Sequence, residues 1–212
     1  GAVALVCTVG LTRFVSQYAL LGMTNASKRS VDKEIVSRLR ELLFAQDYAR
    51  EHALIDPDGD GVGGAIALPS LVGSVPLRAP AHDRVELLDR RYAQMRETRE
   101  GTASALNGYL FMVCLPTAGG GWSAAPTARV DEERAEREFI ALAWPDGAGT
   151  SNGTMFFIDA SERILEFANK NAHGLVFSGV TSPPACDVVT RGTHAFVAWQ
   201  GKGPRDHLPG AP

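Results

Sequence analysis

The chain has 212 residues, 21 Lys+Arg against 24 Asp+Glu, a formal net charge of −3 and 45% apolar residues. At about 100–200 residues per domain this is one sizeable domain, or a domain with an extension. The near-neutral balance argues against a nucleic-acid partner, which calls for a basic patch or stripe. The apolar content argues against disorder. Three cysteines with no CxxC pair are too few for a disulfide-dense scaffold and give no metal or redox pair.

Residues 1–23 (GAVALVCTVGLTRFVSQYALLGM) hold 15 apolar residues and one charge, Arg13. About 20 mostly apolar residues are enough to span a bilayer. The segment reads as a helix that sits in a membrane or among neighbouring helices; a buried core helix is the other reading. Lys28 and Arg29 follow as an interfacial basic pair. From 31 to 54 the pattern is amphipathic: Val31, Ile35, Leu39, Leu42 and Leu43 recur at spacings of three and four. Glu34 and Arg38 are placed to pair on the exposed side. No proline occurs before Pro57, so residues 2–54 are expected to form one helix, about 80 Å long at 1.5 Å per residue. A helix of that length outruns any small domain.

The helix is expected to stop at Asp56-Pro57, because the residue before proline is disfavoured in the α region. The loop DPDGDGVGG follows, then an apolar, Pro-bounded piece from Leu68 to Leu77. Val85, Leu88, Tyr92 and Met95 lie at helical spacing within the charge-rich stretch 84–100, which predicts a second, surface-lying helix. From 106 the period changes. LNGYLFMVCLP, EFIALAWP, TMFFIDAS, RILEFAN and HAFVAWQG are short aromatic and β-branched runs bounded by turn residues, and they predict four or five antiparallel strands. A hairpin is expected to turn at Asp159–Glu162. The stretches 146–153 and 201–212 read as flexible loop and tail. The expected fold class is therefore α+β: a long N-terminal helix, hydrophobic then amphipathic, packed against a four- or five-stranded antiparallel head. By segment, 1–30 is the hydrophobic helix, 31–55 its amphipathic continuation, and 56–212 the globular head.

This layout resembles the type IV pilin and type II secretion pseudopilin superfamily. Two stretches carry the likeness in detail: DPDGDGVGGAIALPSLVG after the helix, and GYLFMVCLP with FIALAWPDGAGTSNGTMFFIDASERILEF in the strands. The resemblance implies an inner-membrane anchor before assembly, then an extracellular, cell-surface filament. It implies self-association as the main partnership, with pilus or secretion assembly machinery as a further partner and no nucleic acid. The implied assembly core is Val3, Leu5, Val6, Val9, Leu11, Arg13, Phe14, Val15, Leu20 and Leu21. Leu5 stands where such chains carry a glutamate and Gly22 where they carry a proline, which leaves Arg13 as the polar residue of that core.

Asp56, Asp58 and Asp60 occupy positions 1, 3 and 5 of a calcium-loop pattern, with Gly61 at the sharp turn and the Val62 carbonyl at position 7. Position 12 is Ala67, so the bidentate glutamate of an EF-hand is missing. Two readings stay open: a helix-ending turn rich in Asp and Gly for conformational reasons, and a looser calcium site completed by a distant acid such as Asp83 or Glu86. Cys114 and Cys186 are the candidate disulfide, closing a loop worth about 4 kcal/mol in the chain-entropy model; two buried thiols are the alternative. Cys7 is a packing residue. Asn25 and Asn152 head glycosylation-type triplets and are read as incidental. The five histidines have no metal spacing, and there is no GxSxG elbow or phosphate loop, so no catalysis is expected. The expected function is a structural filament subunit. The alternatives are a minor pseudopilin and a membrane-anchored binding module.

Overall fold

A computed structural model describes residues 28–79, 81, 83–147 and 153–201. The chain divides into two compact units, one of 1–34 with 201–212 and one of 35–200. In the first, the described residues are 28–34, the opening turns of helix α1, and Gly201. From Ile35 onward the elements belong to the second.

Helix α1 runs over 28–51, about 36 Å at 1.5 Å per residue. Its apolar stripe, Ile35, Val36, Leu39, Leu42, Leu43 and Ala49, is buried. Gln46 lies in the same stripe and is fully buried because its amide is satisfied twice: Nε2 donates to the Ile66 carbonyl at 2.7 Å, and Oε1 accepts the Ile66 N–H at 2.8 Å. The helix stops by turning at Ala53, φ 49°. The Leu54 N–H then donates back to the Ala49 carbonyl at 3.1 Å and the Gly63 N–H to the Arg50 carbonyl at 2.9 Å. A Cβ on Gly63 would stand 2.6 Å from the Ala49 carbonyl oxygen, so only glycine lets the loop return so closely to the helix end.

A short helix α2 (Leu68–Leu71) and a 3₁₀ turn (Arg90–Ala93) lead into the sheet. Its strands are β1 (Met95–Thr98), β2 (Gly101–Leu106), β3 (Tyr109–Pro116), β4 (Trp122–Ser123), β5 (Ile140–Pro145), β6 (Met155–Asp159), β7 (Ile164–Phe167) and β10 (Val197–Ala198). A helix α3 (Glu132–Ala135) precedes β5, and β8 (Lys170–Asn171) pairs with β9 (Gly174–Leu175) in a separate two-stranded ladder. The main sheet is antiparallel, ordered β1-β2-β3-β5-β6-β7-β10, with β4 on the far end of β3. Asn107-Gly108 closes the β2–β3 hairpin with both φ positive, 52° and 76°, as a two-residue hairpin turn of the primed kind requires. The β6–β7 hairpin turns at Asp159–Glu162, where Asp159 Oδ1 accepts the Ser161 N–H at 3.0 Å.

The strands β3 and β5 are buried along their whole length, on both faces. On one face Leu110, Met112, Cys114, Leu142, Trp144 and Phe157 pack with Cys186 and Val188 of the C-terminal segment. That segment has little regular structure. It is pinned by the Cys114–Cys186 disulfide, by a hydrogen bond from Trp144 Nε1 to the Gly179 carbonyl (3.0 Å), and by the Asn169 amide bridging both backbone groups of Phe177 at 2.7 and 2.8 Å. On the opposite face the Tyr92 ring meets Phe111 edge-on at 6.0 Å. The Tyr92 O–H reaches α1, donating to Glu41 Oε2 at 2.7 Å, with the Arg38 carbonyl at 3.2 Å. The sheet thus lies between a helix and an irregular cover, which is why its central strands read as continuous apolar runs.

Three expectations need correction. The fold is dominated by an eight-stranded antiparallel sheet, not a four- or five-stranded head under a helix of some fifty residues; the described helix spans 28–51, and residues 1–27 lie outside the described part. The stretch 84–100 forms no surface helix. Leu87 and Leu88 instead give their N–H groups to the Leu71 carbonyl (2.8 and 3.1 Å), Asp89 caps the 3₁₀ turn, and 95–98 is spent on the ladder with β2. No helix among the described residues is long and apolar enough to cross a membrane. The inner-membrane anchor and the surface localisation derived from it are therefore withdrawn.

Candidate functional site

The segment that leaves α1 builds the densest cluster of unpaired acid among the described residues. Asp56, Asp58 and Asp60 each present a carboxylate oxygen within 4.8 Å of the others. Alternation puts them there: the turn at Gly59 and Gly61, φ 77° and 88°, folds every second side chain inward. Asp56 Oδ1 accepts the Gly59 N–H at 2.7 Å and Oδ2 the Gly61 N–H at 3.0 Å. Asp60 Oδ1 accepts from Val62 at 2.8 Å, and Asp58 Oδ1 from Asp60 at 3.3 Å. Burial works to raise the Asp56 carboxyl, but the hydrogen bonds from Gly61 and Gly59, with smaller contributions from Asp58 and Asp60, outweigh it and hold the group below its ordinary range.

The loop is fixed to the rest of the unit from two sides. Ala65 donates its N–H to the Ala135 carbonyl at 2.8 Å. Arg78 forks onto Glu132 through Nε (2.9 Å) and sends Nη1 to the Ala65 carbonyl at 2.7 Å. This brings the start of α3 and the residue after it, Glu136, to the acidic turn. A shallow hollow there is lined by Asp47, Arg50, Glu51, Gly61, Val62 and Glu136. Desolvation first, then the charges of Asp60 and Asp58, push the Glu136 carboxyl up.

Asp83 and Glu86, the acids expected to complete the site, are not in the cluster. The Asp83 carbonyl accepts from Leu77 at 2.7 Å, and Glu86 faces Arg90 at 3.3 Å. Glu136 takes their place in the electrostatics. It lies far along the chain, in a charged run with no distinguishing spacing, so only the tertiary fold marks it. Cys114 and Cys186 are bonded to one another, with Cα atoms 5.8 Å apart. The His194 ring lies between Phe167 (4.9 Å) and Phe177 (5.1 Å). His52 stacks on Tyr48 at 3.9 Å. The assembly-core residues Val3 through Leu21, Cys7, Asn25 and Asn152 lie outside the described residues.

Comparison with protein-family models, with curated proteins and with solved structures returned no match.

Proposed function

We propose that this chain is a non-catalytic structural subunit of a pilus-like filament, associating with copies of itself. The observation that carries the reading is the junction after α1. An amphipathic helix with one buried stripe runs into the DPDGDGVGG turn and then into an antiparallel sheet, in the order the pilin resemblance implies. The side chains add support. His52 and His194 contact backbone or aromatic rings, and the large buried side chains among the described residues fill a core. Negative-stain electron microscopy of the purified full chain over a range of concentrations, with mass spectrometry of the pelleted material, tests it. Filaments made chiefly of this chain support the reading; recovery of the chain as monomer alone refutes it and favours a binding module.

The acidic turn fits a hard divalent cation, since its donors are carboxylate oxygens at alternate positions. Ca²⁺ would be held by Asp56, Asp58 and Asp60, with Glu136 in their field, and would neutralise charge at the helix exit. A Ca²⁺-dependent rise in melting temperature that Asp58→Asn with Asp60→Asn abolishes would support the metal. Identical melts with Ca²⁺ and with a chelator would leave the turn as a purely conformational stop.

A further inference from the structure

Helix α1 leaves two large apolar side chains in water. Phe44 is 67% exposed and Tyr48 is 48% exposed, one turn apart on the side of the helix opposite the buried stripe. His52 extends the ridge by stacking on Tyr48. Scattered single apolar residues on a surface need no explanation, but an ordered aromatic ridge on an otherwise polar helix face is a contact surface in waiting. An open groove lined by Glu41, Ala45, Leu87 and Leu88 runs along its flank.

The charges at the two ends of this ridge decide what fits it. Arg40 and Glu51 are exposed on the same face. Arg38 is paired with Glu41, and Arg50 with Asp47, within the chain. Arg40 makes a ring contact, its guanidinium 5.6 Å from the Trp199 centroid, and no ion pair with it. At 1.5 Å per residue, Arg40 lies about 6 Å before Phe44, and Glu51 lies about 4.5 Å after Tyr48. When two copies of the helix are laid antiparallel with Phe44 level with Tyr48 of the second copy, Arg40 comes within about 1.5 Å, along the axis, of Glu51 of the second copy. The same holds at the other end by symmetry. A parallel arrangement in register instead sets Arg40 on Arg40 and Glu51 on Glu51.

We propose that a second copy of this chain docks on this face, two-fold and antiparallel, with Phe44–Tyr48 contacts at the centre and Arg40–Glu51 pairs at both ends. Such a pair is isologous and closed. It does not propagate, so it is distinct from filament growth and stands or falls separately from it.

The test is sedimentation velocity on the full chain and its variants, with circular dichroism to confirm folding. Wild type forms a dimer that Phe44→Asp abolishes. Arg40→Glu and Glu51→Arg each weaken self-association about tenfold, since each turns two attractive end pairs into repulsive ones. An equimolar mixture of the two variants recovers the dimer. One variant then carries a carboxylate at both end positions and the other a guanidinium at both, so every end pair of the mixed dimer joins opposite charges. Loss of the Arg40–Trp199 contact cannot produce that recovery. A chain that stays monomeric up to millimolar concentration overturns the proposal. So does association indifferent to Phe44→Asp and to both charge reversals, an outcome that leaves the filament reading intact.

Discussion

Removing the Cys114–Cys186 bridge tests how the C-terminal cover is held. The two cysteines are 72 residues apart in sequence. In the chain-entropy model, opening a loop of that size returns about 4 kcal/mol of freedom to the unfolded chain. The segment the bridge anchors carries few ladder bonds of its own: β10 is two residues long, and the polar ties include Trp144–Gly179, Asn169–Phe177 and the Gly179 N–H to the Pro145 carbonyl at 2.9 Å, beside apolar packing of Phe177 and Val180. Cys114→Ala with Cys186→Ala is therefore expected to lower stability by about 4 kcal/mol. For a chain of this size that is a fall in melting temperature of about 8–16 °C. Urea unfolding followed by tryptophan fluorescence is the assay, since Trp144 is fully buried against this segment and reports its release. A double variant within about 1 kcal/mol of wild type would refute the entropic account and mean that packing of Cys186 and Val188 on the sheet holds the cover alone.

Gly63→Ala drives a methyl to 2.6 Å from the Ala49 carbonyl oxygen and 2.9 Å from Ala53 Cα, both backbone, and is expected to cost about 2–3 kcal/mol in urea unfolding. Tyr92→Phe strips the O–H donated to Glu41, costing about 1–2 kcal/mol. The same tyrosine, its phenol pushed far above the usual range by burial and then by Glu41, is expected to stay un-ionised in ultraviolet titration until the protein unfolds. Glu136 and Asp56 are expected to act in opposite senses with pH. A carboxyl raised in the fold gives up its contribution as pH climbs from the ordinary 4.5 through the folded value, so Glu136→Gln raises the urea midpoint at pH 7 and the gain vanishes below 4.5. A carboxyl lowered in the fold contributes above the ordinary 3.8 and loses that contribution as pH falls through the folded value, so the penalty of Asp56→Asn is present at pH 7 and fades in acid. A midpoint for Glu136→Gln that is unchanged or lower at pH 7 would contradict this assignment.

Periodicity made part of this architecture legible. The three-and-four spacing of Ile35, Leu39, Leu42 and Leu43 marks the buried stripe of α1, and the apolar runs around Phe111, Trp144 and Phe157 mark the central strands. The first signal is burial repeating at the helical period, and the second is continuous burial, because the central strands are covered on both faces. The stretch 84–100 misled because Val85, Leu88, Tyr92 and Met95 keep helical spacing while their partners are set by tertiary contacts: Leu71 for 87 and 88, and β2 for 95. The layer from Phe177 to Val188 repeats nothing, and its position follows from one disulfide and a few side-chain bridges to backbone. Of the acidic site, the local triad was readable from its alternation, whereas Glu136 arrives through Arg78, Glu132 and the Ala65–Ala135 bond, none of which leaves a pattern in the chain.

The sheet's own edge bears on how copies meet. The Thr102 N–H donates away from β1, to the Ala124 carbonyl at 3.2 Å, so Glu97 opposite it is a non-bonded ladder position whose backbone N–H and C=O face outward; Met95, two residues back, does the same. An antiparallel copy must set outward residues against outward residues. Centring on Glu97 stacks Glu97 on Glu97, and pairing Met95 with Glu97 stacks Arg96 on Arg96; centring on Met95 opposes no like charges but engages only the first residue of β1. Like charges directly opposite are unfavourable, and a short charged edge is how sheets avoid pairing. The other edge, β10, is too short to template a strand. Among the described residues, strand addition through the edges of the main sheet is thus disfavoured, and the helix side, with its aromatic ridge and its Arg40 and Glu51, is the surface the proposed two-fold pair uses.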